Sequence, residues 1–395
     1  MQPLAGITVI TLEHAIAAPF ATRQLADLGA RVIKIERPGS GDFARGYDKR
    51  TRGLASHFVW TNRSKESLTL DVKHPLADTV LQRLLAQADV LVQNLAPGAA
   101  TRLGLGYETL EKSHPRLIVC DISGYGEDGP YTEKKAYDLL IQSEGGFLSI
   151  TGTPDAPCKA GNSIADIAAG MYAYTNILAA LIERGKTGKG RRIEVSMLEA
   201  MAEWMSYPLY YSIDDQPPPA RTGAAHATIY PYGPFKVGAG ETAATVMLGL
   251  QNEREWAVFC ERVLLQPALA ADPRFAGNAQ RQTNRPALAA IIDAVFSQLD
   301  ATTLVARLDQ AEIANARVND MAALWRHPQL QARDRWRTIA SPVGPLPALL
   351  PPGMTAADEP RMDAVPALGE HTRAILAECG LSDAEVNQLQ TEGAI

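Results

Sequence analysis

The chain is short of cysteine and histidine, and neither residue is grouped. Cys120, Cys158, Cys260 and Cys379 lie far apart with no CxxC or CxH pairing, which argues against both a zinc cluster and a disulfide framework and suits a reducing, cytoplasmic setting. The histidines (His14, His57, His74, His114, His226, His327 and His371) are dispersed, none at ligand spacing from another His or from a Cys, so no metal is expected. Positive charge is not in excess. With 38 Lys and Arg against 44 Asp and Glu the net charge is −6, a balance that disfavours a nucleic-acid partner. No GxSxG elbow marks a serine hydrolase. The first strand-to-helix turn, EHAIAAPFA, contains no glycine, which argues against a dinucleotide held in the usual way. Long apolar runs are also missing, apart from residues 164–182. There Asp166 and Asn176 interrupt the run and no second span accompanies it, so a buried helix is expected and no membrane partner. The opening MQPLAGITVITLEHA has no basic n-region and passes straight into a strand pattern, so no signal peptide is expected.

What is present is the composition of an ordinary soluble protein, 46% apolar and 21% charged, in 395 residues. That length exceeds one hydrophobic core, so two domains are expected. In the first half, Val- and Ile-rich strands at 7–13, 31–37, 67–72, 89–95, 117–126 and 191–197 alternate with helices near 19–28, 75–87 and 164–184. This alternation predicts a doubly wound, largely parallel, Rossmann-like α/β domain over residues 1–212, to which residues 329–395 return. A Pro- and Gly-rich connection at 214–223 leads into a smaller α+β domain over 213–328, with strands at 228–238 and 242–250 followed by helices. A second linker at 341–354 precedes closing helices at 369–379 and 382–391.

Two glycine motifs resemble phosphate-binding fingerprints and are discounted. Gly124-x-Gly126-x-x-Gly129 follows a strand, but Glu127 and Asp128 occupy the phosphate position and Pro130 follows where a helix should start. GKTGKG at 185–190 ends a helix and reads as a basic C-cap.

One carboxylate stands out. Asp166 lies among Ile, Ala and Met near the start of the 164–184 helix, where an unpartnered polar group costs roughly 2–7 kcal/mol. Either the helix start accommodates it, through backbone N–H groups and the dipole, or it performs chemistry. Ligands of doubly wound sheets sit beyond the C-terminal strand ends. There the first turn offers small residues, and Arg37, Lys73 and Arg102 follow successive strands as a distributed grip on a phosphorylated ligand.

The segments LADLGARVIKIERPGSGDFAR, DVLVQNLAPGAATRLGLGYETL, IADIAAGMYAYTNILAAL, GKGRRIEVSMLEA and GEHTRAIL together resemble the family III CoA-transferases (the CaiB/BaiF group) over essentially the whole chain. The resemblance implies an interlocked homodimer with its active site at the domain and subunit junction. It also implies coenzyme A or acyl-CoA as substrate with no tightly bound cofactor, and Asp166 as the nucleophile. By the same resemblance His14, Ala15, Ile16, Ala17, Arg37, Leu70, Lys73, Asn94, Leu95, Arg102, Lys135 and Tyr137 match CoA-contacting positions. The glycines of SEGGFLSITG (143–152) are candidate oxyanion donors.

Within the family, the racemase branch uses a His directly before an Asp where this chain has Tyr137 and Asp138, so transfer rather than racemisation is expected. The glycine run of the formyl-CoA type is replaced by VMLGLQNEREW (246–256), and with RTGAAHATIYPYGPF (221–235) this is most similar to the dicarboxylate branch. The expected partners are an acyl-CoA, succinyl-CoA foremost, and a C4–C5 dicarboxylic acid, itaconate foremost. Mesaconyl-CoA C1–C4 transfer and malate or citramalate transfer are the alternatives, with a non-catalytic CoA-binding protein as a different class. Arg45, Arg50, Arg52, Arg221 and His226 are candidates for the distal carboxylate.

Overall fold

A computed structural model describes residues 2–240 and 243–395. Two compact units emerge. The first comprises the residues up to Phe147 together with Ala160–Tyr207 and Pro328–Ile395; the second comprises Leu148–Lys159 and Pro208–His327. The short segment Leu148–Lys159 therefore groups with the second unit although it lies within the first half of the chain.

In the first unit six strands, β1 (Thr8–Leu12), β2 (Arg31–Glu36), β3 (Lys65–Thr69), β4 (Val90–Gln93), β5 (Ile118–Ser123) and β6 (Arg192–Ser196), form one sheet in the order β3-β2-β1-β4-β5-β6. All pairings are parallel. Parallel neighbours need crossover helices, and those helices cover both faces. The period-two alternation decides which side chain goes where. Val9, Val32, Val90, Val92, Ile118 and Cys120 face a core built with α1 (Ala17–Asp27), α4 (Ile164–Thr187) and α5 (Met197–Trp204). Their neighbours Ile10, Ile33, Leu68, Leu91 and Val119 face the opposite core, with α2 (Ala77–Leu85), α6 (Thr372–Glu378) and α7 (Asp383–Thr391). The closing helices thus complete one face of the sheet that the first half of the chain began.

By length and composition α4 could cross a membrane, but Ala165, Ala168, Ala169, Ala173, Ile177 and Ala180 are sealed in the first core, as in a core helix. Gly188 ends it at φ 75°, and its N–H returns 2.8 Å to the Arg184 carbonyl, the left-handed stop a glycine permits.

The second unit is built on a three-stranded antiparallel sheet: β7 (Tyr232–Val237), β8 (Ala244–Gly249) and β9 (Ala314–Arg317), with β8 central. Trp256, Phe259, Leu288, Ile292 and Phe296 from its helices, and Phe275 from a turn, pack with Phe235, Val237 and Val246 into a separate core.

Candidate active site

The sheet order reverses between β1 and β4, and the crevice beyond the C-terminal ends of those two strands is where such a sheet receives ligands. Side chains from both sides pin the β1–α1 turn there. The Asn94 amide clamps His14 at both backbone groups, accepting from its N–H at 2.8 Å and donating to its carbonyl at 2.9 Å. Asp42 accepts from the Ala15 N–H at 3.1 Å, and Ala15 itself sits at φ 62°. Ile16 and Ala17 are buried, so what this part of the turn presents is backbone at the N-terminal end of α1. No acidic residue lies in the first turn of α1 and no side chain caps it.

Asp166 supplies the missing anion. It is half-buried on the first turn of α4, and the Ala17 N–H faces its carboxylate, favouring the ionised form. Gly170, one turn along, lets the two helices meet this closely, since a Cβ there would lie 2.7 Å from the Ala17 carbonyl oxygen. Asp166 does not cap its own helix, and neither does Ser163. The cap comes from Asp138, at the start of α3 (Asp138–Glu144), whose Oδ1 accepts from the N–H groups of Ala165 at 2.8 Å and Asp166 at 3.2 Å. Its other oxygen accepts from the Gln142 amide at 2.6 Å, and Gln142 in turn accepts from the Ala160 N–H at 2.9 Å. Burial, and then the Asp138 charge, push the Asp166 carboxyl up to about 7 against the opposing Ala17 hydrogen bond. A carboxylate of that basicity, freed from capping and facing a helix N-terminus, is equipped for nucleophilic or base chemistry. Tyr47 stands beside it. Burial, with Asp42, Asp166 and Tyr137 nearby, pushes its phenol up to about 12, leaving a neutral hydrogen-bond donor.

Several of the expected ligand-facing residues follow the C-terminal ends of strands: Arg37 after β2, Lys73 after β3, and Asn94, Leu95 and Arg102 after β4. Arg37, Lys73 and Lys135 are exposed and have no ion-pair partner among the described residues. Arg102 is exposed and, among the described residues, donates only to the Pro97 carbonyl, at 3.3 Å. Tyr137 is 67% exposed, immediately before Asp138. Leu95 is partly buried against the second core.

Four of the expected groups are engaged within the fold. Leu70 is sealed in the second core and can offer a ligand nothing of its side chain. The Arg45 guanidinium is held by both oxygens of the buried Glu36, at 2.8 and 2.7 Å, with its plane 3.8 Å from the Phe58 ring centre. Arg52 donates to the Pro345 carbonyl at 2.9 Å. Gly145 and Gly146 use their N–H groups to close α3, on Ile141 and Ser143, so neither is a free oxyanion donor; the donor facing Asp166 is Ala17. Arg50 is exposed, with no ion-pair partner among the described residues.

In the second unit, Arg221 is also committed: its three guanidinium nitrogens donate to the carbonyls of Thr153, Ser149 and Pro154 at 3.0, 3.4 and 3.1 Å. His226 stacks on Tyr232, and its Nδ1 accepts from the Thr228 and Ile229 N–H groups, which leaves its Nε2 without a hydrogen-bond partner among the described residues. Among the described residues no group of His, Cys, Asp and Glu is arranged to hold a metal.

A family model described as CoA-transferase family III matches residues 4–372. The succinyl-CoA:glutarate CoA-transferase of Mus musculus is 33% identical over 387 residues, covering 96% of this chain and 86% of that protein. The acetyl-CoA:oxalate CoA-transferase of Acetobacter aceti is 35% identical over 334 residues, covering 84% and 85%. The crystal structure of a CaiB/BaiF family protein from Brucella suis superposes with a TM-score of 0.85 at 34% identity, covering 96% of this chain and 99% of that one.

Proposed function

The chain belongs to CoA-transferase family III, and from that membership we propose that it moves CoA from succinyl-CoA to a free C5 dicarboxylate through Asp166. The observation that carries the proposal is the Asp166 carboxylate: half-buried, raised to about 7, relieved of capping by Asp138 and facing the Ala17 N–H.

The sequence of steps needs one carboxylate and no other reagent. An Asp166 oxygen attacks the thioester carbonyl, forming a mixed anhydride and expelling CoA thiolate. The thiolate then attacks the Asp166 acyl carbon, releasing succinate and leaving an aspartyl-CoA thioester. The acceptor carboxylate displaces CoA from this thioester to give a second anhydride. The returning thiolate attacks the acceptor's acyl carbon, so acyl-CoA forms and the Asp166 carboxylate is regenerated. The Ala17 N–H suits the oxyanion that develops at the attacked carbon when Asp166 is the acyl group. Arg37, Lys73, Arg102 and Lys135, exposed and without an ion-pair partner among the described residues, suit the phosphates of CoA, with His14, Asn94, Leu95 and Tyr137 along the rest of the ligand. Tyr137, where the racemase branch has an imidazole, supports transfer over racemisation.

For the acceptor, the glutarate in the mouse relative's name supports a C5 dicarboxylate, a class that includes itaconate. With Arg45, Arg52 and Arg221 engaged, Arg50 and His226 are the remaining candidates for the distal carboxylate. An exposed run, Trp204, Tyr207, Leu209, Tyr210, Tyr211 and Ile213, is the kind of apolar surface that a second copy of the chain covers, in keeping with a homodimer. The decisive experiment is Asp166→Ala. Transfer from succinyl-CoA to glutarate or itaconate should vanish while CoA still binds, and hydroxylamine should modify the wild-type enzyme at Asp166 only after succinyl-CoA is added. Turnover retained in Asp166→Ala would sink the nucleophile assignment.

A further inference from the structure

Beneath the β1–α1 turn lies a cluster of charged side chains that the transfer steps do not use. Glu13, Lys34, Asp42 and Lys65 have fully buried side chains, and Glu36 beside them is buried too. Lys34 lies 2.7 Å from Asp42 and 3.4 Å from Glu13; Lys65 lies 2.6 Å from Glu13; Arg45 closes on Glu36 at 2.7 Å. Buried ion pairs contribute little net stability, because desolvation consumes most of the Coulomb gain. Their value is more often in fixing one geometry.

The geometry fixed here is specific. One Asp42 oxygen takes Lys34; the other accepts the N–H groups of Ala15 in the β1–α1 turn at 3.1 Å and of Ala44, two residues on in the short helix Asp42 caps, at 2.9 Å, with the His14 Nδ1 3.7 Å away. Ala15 is the residue at φ 62°, a left-handed conformation disfavoured for any residue with a Cβ, which persists only where surroundings hold it. Two residues later the Ala17 N–H meets Asp166. We propose that Asp42, locked by Lys34, is a positioning residue that holds the strained Ala15 turn so that the N-terminus of α1 is aimed at the Asp166 carboxylate. The proposal rests on the reading of Asp166 as nucleophile. The groups facing Asp166 are Asp138 at the start of α3, Tyr47, which Tyr137 also approaches, and the Ala17 N–H of α1. Only the last of these depends on the Ala15 turn.

The test is the pH profile of kcat/KM for transfer from succinyl-CoA to glutarate, whose acid limb reports the free enzyme. In Asp42→Asn the tie to Lys34 is lost, so the limb should move up by about half to one pH unit as Ala17 stops favouring the ionised form. Turnover should fall about 10- to 100-fold from misplacement of the turn. Ala15→Val, which leaves every charge intact but fits φ 62° poorly, should move the limb the same way, and it decides the matter alone if Asp42→Asn does not fold. Adding Ala15→Gly to Asp42→Asn should restore most of the turnover, because glycine holds that φ without strain. An unmoved limb in Ala15→Val would overturn the proposal. An enzyme that survives Asp166→Ala would instead overturn the nucleophile reading, and the two failures are told apart by that variant.

Discussion

Asp138→Asn removes a charge while leaving a cap in place, and so isolates what that charge does to Asp166. Asparagine keeps a carbonyl oxygen for the Ala165 and Asp166 N–H groups that Asp138 now satisfies at 2.8 and 3.2 Å. Its amide nitrogen would meet the Gln142 amide, so Gln142 turns over and gives up the Ala160 N–H, at a cost of about 1 kcal/mol in stability. The Asp138 charge is second only to burial among the causes that push Asp166 up to about 7. Removing it should bring Asp166 down by about one unit, equivalent to roughly 1.4 kcal/mol. The sign follows directly. A group at about 7 is roughly one-tenth ionised at pH 6, and one at about 6 is roughly half ionised, so kcat/KM at pH 6 should rise about fivefold. Above pH 8 both enzymes are ionised, and the variant should be the slower, since a less basic carboxylate is a weaker nucleophile. The assay is kcat/KM for succinyl-CoA and glutarate from pH 5 to 9 at constant ionic strength. A limb that stays in place, or moves upward, would falsify the claim that Asp138 raises the basicity of the nucleophile.

Two further variants test the packing behind the site. Leu70→Ala empties part of the second core and should cost about 2–5 kcal/mol in denaturant unfolding while leaving the KM for succinyl-CoA nearly unchanged; a raised KM with unchanged stability would return Leu70 to the ligand wall. Gly170→Ala drives a Cβ to 2.7 Å from the Ala17 carbonyl oxygen and 3.0 Å from the Phe20 ring, so it should destabilise by about 1–3 kcal/mol and slow transfer by displacing α1. Gly185→Ala, in the same helix but with open space around it, is the control and should stabilise by about 1 kcal/mol.

The parallel sheet was legible because its strands are buried on both faces and read as Val- and Ile-rich runs, and the crossover helices are long enough to carry a 3.6-residue period. Where charge is buried, the pattern misleads. β3 starts at Lys65 rather than Ser67 because Lys65 is an interior residue held by Glu13 at 2.6 Å, a role its charge hides. The short elements of the later chain were also obscure. β9, with sequence ANAR, has no strand propensity of its own and exists because β8 pairs with it. Residues 346–349 read as part of a proline-rich linker, yet Leu346–Leu349 pairs with Trp336–Ile339 in a hairpin.

At the site, the residue type was readable and the arrangement was not. An aspartate among alanines at a helix start admits two explanations, cap or reagent, and residue chemistry alone does not separate them; only the resemblance carried by the IADIAAGM segment points to a reagent. What the structure adds is that the cap is supplied by a residue 28 positions earlier in the chain. Asp138 accepts from the Asp166 N–H and from Ala165 and Gln142 as well, and this frees the Asp166 carboxylate from structural duty. The same approach of one carboxylate to another raises the basicity of the second, so capping and activation are one arrangement. Two aspartates thereby take different parts according to their surroundings, Asp138 satisfied on both oxygens and Asp166 faced, among the described residues, by the Ala17 N–H. A nucleophile that must attack, be acylated and leave again is better served by one weak donor than by three. The donors that would have held it as a cap are taken by its neighbour.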